Sequence, residues 1–425
     1  QYYTCVELPS EPIDPRAIRA TVKFFSRAGG ISLRSEKNVV AEMRKSTNSG
    51  VWLFTKRRNV IEETLHAAVY YNDTMYFVTD SGTYQNGSVL GWRGQEGGID
   101  DDDVKQRVVW MNSFLQNIKE LQFYQPAIES FQKNDCIPAL ISMDRVDQEV
   151  TALFDSKPEG DDVICTDFTK FDQHYNKHLQ DASREVLWEL SDKSDSMKQW
   201  FDVYPEKFRV PLICSEDLIY TGLHGMGSGS GGTNFDEDAS HKALQFEAAI
   251  HDGQELNPHS MAYGDDGILT YPGITVDSVI RTYTSHGQEM NQTKQYVSKH
   301  DCVVLRRWHG MNYRVDGIMV GVYSTFRALG RLLAQERFYD PDKWSNEMVV
   351  LRALSILENC KWHPYFHEFI NFVLTGDKFR LGLNIPGFLD PHNLERKAQE
   401  AIEFGDDFLG YTKSQQRDKS SKLTG

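Results

Sequence analysis

Met261-Ala262-Tyr263-Gly264-Asp265-Asp266-Gly267-Ile268-Leu269 is the stretch on which the reading of this 425-residue chain turns. Two apolar segments flank a glycine-bracketed pair of aspartates, a pattern that predicts a tight hairpin with both carboxylates at its tip. Adjacent carboxylates repel, so they must be hydrated, protonated or bridged by cations. Gly-Asp-Asp-Gly also suits an ordinary exposed turn. Taken alone, the stretch favours that plainer reading, and the rest of the chain has to decide.

Composition narrows the classes. The length fits two or three compact units, or one large enzyme built from subdomains. With 40% hydrophobic and 12% aromatic residues the chain is expected to fold. No apolar run approaches the length of a membrane span, so no membrane contact is expected. The opening Gln1-Tyr2-Tyr3-Thr4-Cys5 has no basic region followed by an apolar core; no signal peptide is expected, and a cropped or processed N-terminus is. The six cysteines lie far apart without a Cys-x-x-Cys pair, which argues against a zinc ribbon or a disulfide framework and for a reducing compartment.

The net charge of −15 opposes polyanion binding only as a sum. Residues 1–150 carry 17 basic and 20 acidic groups, 151–300 carry 12 and 25, and 301–425 carry 17 and 16. The excess acid is therefore central. Upstream, residues 16–58 hold eleven Lys/Arg, including Lys56 and Arg57, against only Glu36 and Glu42. An acidic centre beside a basic stretch suits cation-assisted chemistry on a polyanion; any single cation there equally suits a solvated helix face.

Along the chain, residues 1–15 carry three prolines and are expected to run extended. Helical spacing covers 17–46 with a break at Gly29-Gly30, and Val51-Trp52-Leu53-Phe54 and Met75-Tyr76-Phe77-Val78 read as strands. A Gly- and Asp-rich loop is expected over 91–103. It leads into Lys105-Gln106-Arg107-Val108-Val109-Trp110, where period-2 spacing puts Lys105 and Arg107 on one face, able to clamp a triphosphate. Val163-Ile164-Cys165-Thr166-Asp167-Phe168 reads as a buried strand ending near an acid. Past residue 310 the pattern is mostly helical, clearest over 317–337, 344–360 and 393–404, before a polar tail over 413–425. His363 and His367 have helical i, i+4 spacing without a third ligand, which favours packing over zinc.

Two further constellations carry chemistry. In Asp167-Phe168-Thr169-Lys170-Phe171-Asp172 the acids can divide tasks, Asp167 toward a cation and Asp172 toward a substrate hydroxyl. Gly225-Met226-Gly227-Ser228-Gly229-Ser230-Gly231-Gly232 runs into a helix, so its backbone N–H groups can approach a phosphate. Gly227, Gly229 and Gly232 also fit G-x-G-x-x-G and raise a dinucleotide-binding rival. Against it, the acid lies about 33 residues past the last glycine rather than roughly 20, and Ile268 to Tyr271 reads as a returning hairpin strand.

In this order the pieces resemble the palm of viral RNA-dependent RNA polymerases. Asp167-x4-Asp172 is similar to motif A, Ser228-Gly229-x3-Thr233 to motif B, and Tyr263-Gly264-Asp265-Asp266 to motif C. Lys105-Gln106-Arg107 resembles motif F, Lys294 is placed like the lysine of motif D, and Leu305-Arg306-Arg307-Trp308 resembles motif E. Within that superfamily the motifs look most like those of picobirnavirus polymerases, from viruses with segmented double-stranded RNA genomes.

The resemblance implies an α+β right hand, with fingers over 1–155, a palm over 156–310 (part of 190–225 possibly fingers) and a helical thumb over 311–425. It implies template-directed addition of ribonucleoside triphosphates to an RNA 3′ end, in replication and transcription of the viral genome. Asp167 and Asp265 would hold two Mg²⁺ ions, replaceable by Mn²⁺, with Asp266 as auxiliary ligand. Lys105 and Arg107 would hold the triphosphate, and Lys294 would neutralise or protonate the departing pyrophosphate. Asp172, Ser228, Gly229 and Thr233 would face the ribose. Four positions after Thr233, where Asn is common, stands Glu237, so the hydroxyl contact falls to Asn234 or Glu237. Lys56, Arg57, Arg306 and Arg307 would meet the RNA backbone. Template and nascent RNA, nucleotides and the viral capsid are the implied partners, in the virion interior and host cytoplasm. A reverse transcriptase and a non-catalytic nucleic-acid-binding protein with a palm-like shape are the rivals.

Overall fold

The computed structural model describes residues 1–72, 74–95, 105–334 and 344–381. Helix α1 (Pro15–Phe25) begins with Pro15, where a missing N–H costs nothing, and is capped by Asp14, whose carboxylate accepts from the Arg16 N–H at 2.7 Å. Strands β1 (Ser88–Gln95) and β2 (Lys105–Met111) form an antiparallel ribbon. Helices α2 (Phe114–Lys133) and α3 (Met143–Ser156) follow, each N-capped by a serine hydroxyl. Then come β3 (Val163–Thr166), α4 (Lys177–Leu190), β4 (Leu212–Ser215), β5 (Leu218–Tyr220) and the long α5 (Thr233–His251). The chain continues through β6 (Met261–Tyr263), β7 (Asp266–Leu269), α6 (Val276–Ser285), β8 (Tyr296–Ser298), β9 (Asp301–Val304) and β10 (Arg307–Gly310).

The central sheet has the order β8-β3-β7-β6, with every neighbouring pair antiparallel. Successive side chains of a strand point to opposite faces, so a strand covered on both sides needs an unbroken apolar run. Val163, Ile164 and Cys165 supply it. Val163 and Cys165 join Val146, Val150 and Leu153 of α3 in one core, while Ile164 and Leu269 join α1, α4, α5 and α6 in the other. Helix α5 lies inside this second core and is buried nearly all round. A second sheet, β2-β1-β4-β5, pairs β1 with β4 in parallel and is otherwise antiparallel. The antiparallel β6–β7 hairpin directly after α5 excludes the dinucleotide-binding rival, which requires a crossover to a parallel strand.

Several expectations are corrected. Residues 51–54 form turns rather than a strand, since Trp52 and Phe54 take positive φ values of 67° and 47°. Residues 91–95 belong to β1, because their backbone groups pair with β2 despite Gly91 and Gly94; the rest of the 91–103 loop lies outside the described residues. Helix over 17–46 is confined to Pro15–Phe25 and Glu36–Glu42. Over 317–337 the described residues hold two short strands, Ile318–Met319 and Val322–Tyr323, before helix Thr325–Leu333. Gly317 at φ +83° supplies the turn that interrupts the helical spacing. The helix over 393–404 and the tail lie outside the described residues.

Residues 1–15 do not run simply extended. Cys5–Glu7 forms a 3₁₀ turn, and Tyr2 and Tyr3 pack against Trp110 with ring centroids 5.4 and 6.4 Å away. Further along, the buried His286 clamps this segment to the core: Nε2 meets Glu247 Oε1 at 2.8 Å and Nδ1 meets Glu11 O at 2.7 Å. Burial pushes the imidazolium down, but the hydrogen bonds to Glu247 and Glu11 outweigh it and hold the pKa above its ordinary value. A raised histidine pKa stabilises the fold below about pH 6.5, and that stabilisation is lost as pH rises through the raised value. Thermal unfolding of the parent should therefore lose stability with rising pH across that window, and His286→Asn should flatten the loss.

Candidate active site

The tip of the β6–β7 hairpin is fixed from below by α5. Gly264 takes φ +61° at the first position of a two-residue loop, where glycine is favoured. Its N–H donates to Asp238 Oδ1 at 2.6 Å, and its carbonyl accepts from His241 Nδ1 at 2.9 Å. Burial pushes the His241 pKa down to about 4, so the ring is neutral and Nδ1 carries the proton toward the carbonyl. One turn on, Gln245 Nε2 donates to Met261 O at 2.7 Å. Positions 238, 241 and 245 thus form a helical i, i+3, i+7 stripe beneath the hairpin. Gly267 is glycine because the His241 ring occupies its side-chain space: a Cβ there would stand 2.5 Å from His241 Cε1. No signal but this polar spacing inside a buried helix marks Asp238, His241 and Gln245 in the sequence.

Register then gathers the acids. Gly267 pairs with Thr166, so the next residues outward, Asp266 on β7 and Asp167 beyond β3, stand side by side. Of the two aspartates only Asp265 lies in the hairpin loop, and Asp266 begins β7 opposite Tyr263, which corrects the expectation of two carboxylates at the tip. Burial and the Asp265 charge raise the Asp167 pKa, with Lys294 opposing. Asp266 is pushed up to about 6 by burial and the Asp265 charge, with Arg306 and Arg107 opposing and Asp167 adding to the rise. Lys294 reaches this group because the Gln295 side chain pairs with the Asp167 backbone, accepting its N–H at 2.9 Å and donating to its carbonyl at 2.8 Å. Gln295 escaped the sequence reading, since only its neighbour carries charge.

The glycine loop packs more tightly than a phosphate cradle. A Cβ on Gly229 would lie 1.6 Å from Trp110 O, and one on Gly232 would lie 2.0 Å from the Tyr124 ring. The Gly231 N–H and the Ser230 hydroxyl both donate to Glu120 Oε2 at 2.7 Å. A protein carboxylate therefore takes the place expected for a phosphate at these donors. Ser228 donates to Val108 O and Thr233 to Gly227 O, both at 2.9 Å, and these bonds hold the loop to β2 and to itself. Asn234 is exposed at the start of α5. Asp172 lies in the 3₁₀ turn Phe171–His174, where burial raises its pKa above the ordinary carboxylate value and the Asp265 charge adds to the rise, with Glu237 and Arg107 opposing. Tyr2 also reaches this spot, where the charges of Asp172, Glu237 and Arg107 act on its hydroxyl.

The candidate cations separate. Arg107 extends from β2 and its charge reaches Asp172 and Asp266; Lys105 lies on the same strand, its side chain outside the described residues. Arg306 is exposed at the tip of the β9–β10 turn, where Leu305 and Arg306 hold positive φ values of 50° and 60°. Arg307 is corrected: only 3% exposed, it contacts Asp147 Oδ1 at 3.2 Å and donates to Gly321 O at 2.8 Å, so it offers no face to a phosphate backbone. Lys56 is exposed, whereas Arg57 is half-buried with its guanidinium 5.3 Å from the Phe114 ring centroid.

Among the described residues no three His, Cys, Asp or Glu side chains converge closely enough to hold a metal ion unaided. The donor set nevertheless fits Mg²⁺, which prefers few carboxylates and completes its shell with water and phosphate. Beyond the effect of burial, the Asp265 charge raises the pKa of both Asp167 and Asp266, so the three acids together leave negative charge for a cation to offset.

Residues 99–307 match the family model described as viral RNA-dependent RNA polymerase. A human picobirnavirus protein named as a potential RNA-dependent RNA polymerase is 51% identical over 418 residues, 98% of this chain and 78% of its own length. The crystal structure of a human picobirnavirus RNA-dependent RNA polymerase matches with a TM-score of 0.90 at 51% identity, over 97% of this chain and 77% of that one. Its insertion-loop deletion mutant matches with a TM-score of 0.89 at 50% identity, over 95% and 79%. These likenesses leave no room for the reverse-transcriptase rival as the family. No helix among the described residues is long and apolar enough to cross a membrane. With its α+β right-hand fold, its acids at adjacent strand ends and a relative half-identical along nearly its whole length, this chain belongs to the viral RNA-dependent RNA polymerases of picobirnavirus type, nucleotidyltransferases whose substrates are RNA and ribonucleoside triphosphates.

Proposed function

We propose that this polymerase extends an RNA 3′ end by two-metal catalysis centred on Asp167 and Asp265, with Asp266 as a helper. The observation that carries the reading is the Gly267–Thr166 register, which sets Asp167 beside the aspartate pair. Two Mg²⁺ ions, or Mn²⁺ in their place, would when bound lower the pKa of the attacking hydroxyl and offset charge on the pyrophosphate. Arg107 and Lys105 hold the incoming triphosphate from β2. Lys294, tethered through Gln295, neutralises or protonates the leaving group. Asp172 accepts from the ribose hydroxyl, while Ser228, Gly229, Thr233 and Asn234 shape the wall of that pocket. Arg306 meets the RNA backbone at the turn tip, and Lys56 and Arg57 lie along the template side.

The larger setting follows from the same reading. Fingers over 1–155, palm over 156–310 and thumb over 311–425 would enclose the RNA. The enzyme would replicate and transcribe a segmented double-stranded RNA genome inside the virion, against the capsid, and in the host cytoplasm.

Incorporation on a homopolymer template with Mg²⁺ tests the catalytic roles. The parent should add ribonucleotides in preference to deoxynucleotides, and Asp265→Ala should lower incorporation by about three orders of magnitude or more. Full incorporation by Asp265→Ala would remove it as a ligand, and no incorporation by the parent with either metal would leave a binding role alone. Asp266 gives a second check that needs no activity. Its folded pKa of about 6 exceeds the unfolded value of about 3.9, so the folded state binds the proton more tightly and stability falls as pH rises between them. In chelator, Asp266→Asn should raise stability by about 2 kcal/mol above pH 7 and lose that advantage below about pH 4, as read by thermal unfolding.

A further inference from the structure

We infer that Asp147 is a positioning residue for the RNA-backbone contact: by holding Arg307 and His309 inside the protein it selects the β9–β10 register in which Arg306 projects from the turn. The inference rests on Arg306 being the group that meets the RNA backbone.

The turn itself is unusual. Val304 pairs with Arg307, so Leu305 and Arg306 form a two-residue loop, and both take positive φ, 50° and 60°. Turns of that kind favour Asn-Gly, because a side chain crowds a left-handed backbone. Two bulky residues persist there only where the surroundings hold them, and such outliers concentrate at functional sites. Leu305 is held by packing against the core that α3 shares with β3 and β9. The turn also lies beside the aspartates: Val304 and Leu305 line one small hollow together with Tyr263 and Asp266, and the Arg306 charge acts on Asp266.

Adjacent arginines leave the register open to a slip. A shift of one residue would bury Arg306 in place of Arg307, because a strand sends successive side chains to opposite faces. Polar groups inside the protein decide between the two. From α3, Asp147, only 2% exposed, accepts through Oδ1 from Arg307 Nη1 at 3.2 Å and from His309 Nε2 at 2.8 Å. Arg307 and His309, two positions apart, share the inward face, whereas Trp308 between them is exposed. Arg307 also donates through Nη2 to Gly321 O at 2.8 Å, which ties β10 to the chain just before Val322–Tyr323, the strand it pairs with. An apolar residue at 307 would fill the same space, but it would make neither bond and would not prescribe the register. Room for the cluster comes from Gly321, where a Cβ would stand 2.7 Å from Arg307 Cζ and Nε and from His309 Nε2.

Removing Asp147 would leave the Arg307 charge buried and unpaired, which can unfold the protein. The test therefore uses Gly321→Ala, which displaces the guanidinium end without removing a charge, and Arg307→Met, which leaves Asp147 its bond to His309. Each is made alone and together with Arg306→Ala. Affinity for a template–primer RNA duplex is read by fluorescence anisotropy across a salt series, with single-nucleotide extension beside it. Arg306→Ala should weaken binding about threefold or more and make the slope of log affinity against log salt shallower by about 0.7 to 0.9, the share of one phosphate. Gly321→Ala and Arg307→Met should reproduce both changes and add nothing to Arg306→Ala, while KM for the ribonucleotide stays within about twofold of the parent. Losses that add in the double variants, an unchanged salt slope in either Gly321→Ala or Arg307→Met, or a ribonucleotide KM that rises with them would overturn the inference. An unchanged slope in Arg306→Ala would instead overturn the backbone role of Arg306 itself.

Discussion

Both backbone polar groups of Gly264 are taken by α5, the N–H by Asp238 and the carbonyl by His241. A two-residue hairpin loop would otherwise present these groups to water and be free to rock. Held at both, the loop carries Asp265 in one orientation, and the β7 register that follows sets Asp266 against Asp167. Because α5 is buried nearly all round, the support is rigid and the hairpin inherits that rigidity. The glycines of the hairpin serve the same arrangement: Gly264 for its positive φ, Gly267 for the room it leaves the His241 ring.

Such an arrangement stores electrostatic tension. Asp167 and Asp266 both have raised pKa values because burial disfavours their charged forms and the Asp265 charge adds to the effect. Glu237 Oε1, Asp238 Oδ2 and His241 Nε2 are buried without partners among the described residues. Groups of this kind destabilise a fold, and their concentration around one hairpin marks the place where binding and catalysis take precedence over stability. The cationic counterweight is sparse and comes from separate elements, Arg107 on β2, Lys294 before β8 and Arg306 after β9.

Legibility differed by residue for identifiable reasons. The acids, the glycine loop and the β3 and β7 strands were readable because unbroken apolar runs and glycine-bracketed acids are local patterns. The strand expected over 51–54 is a turn in which Trp52 and Phe54 take positive φ values and the Trp52 ring packs on Phe77 and Tyr84, contacts that no local pattern announces. The close packing of the glycine loop was hidden for a similar reason: Glu120, more than a hundred residues away, takes the Gly231 N–H and the Ser230 hydroxyl. Arg307 looked like its neighbour Arg306, yet Arg306 sits in the β9–β10 turn and faces solvent, whereas Arg307 begins β10 and is buried against Asp147 and Gly321.

The sequence by itself determined the chemical identity of the centre and its order along the chain: acids at Asp167, Asp172, Asp265 and Asp266, a tight glycine loop, and a family likeness carried by those motifs in that order. Only the tertiary structure decided which atoms meet. Antiparallel register between β3 and β7, the polar stripe of α5 beneath Gly264, the Gln295 clamp on Asp167 and the hold of Glu120 on the glycine loop all join residues from about 20 to well over 100 positions apart. Spacing along a chain specifies faces and turns, but a contact between distant segments depends on how buried surfaces pack, and that information resides in no single stretch.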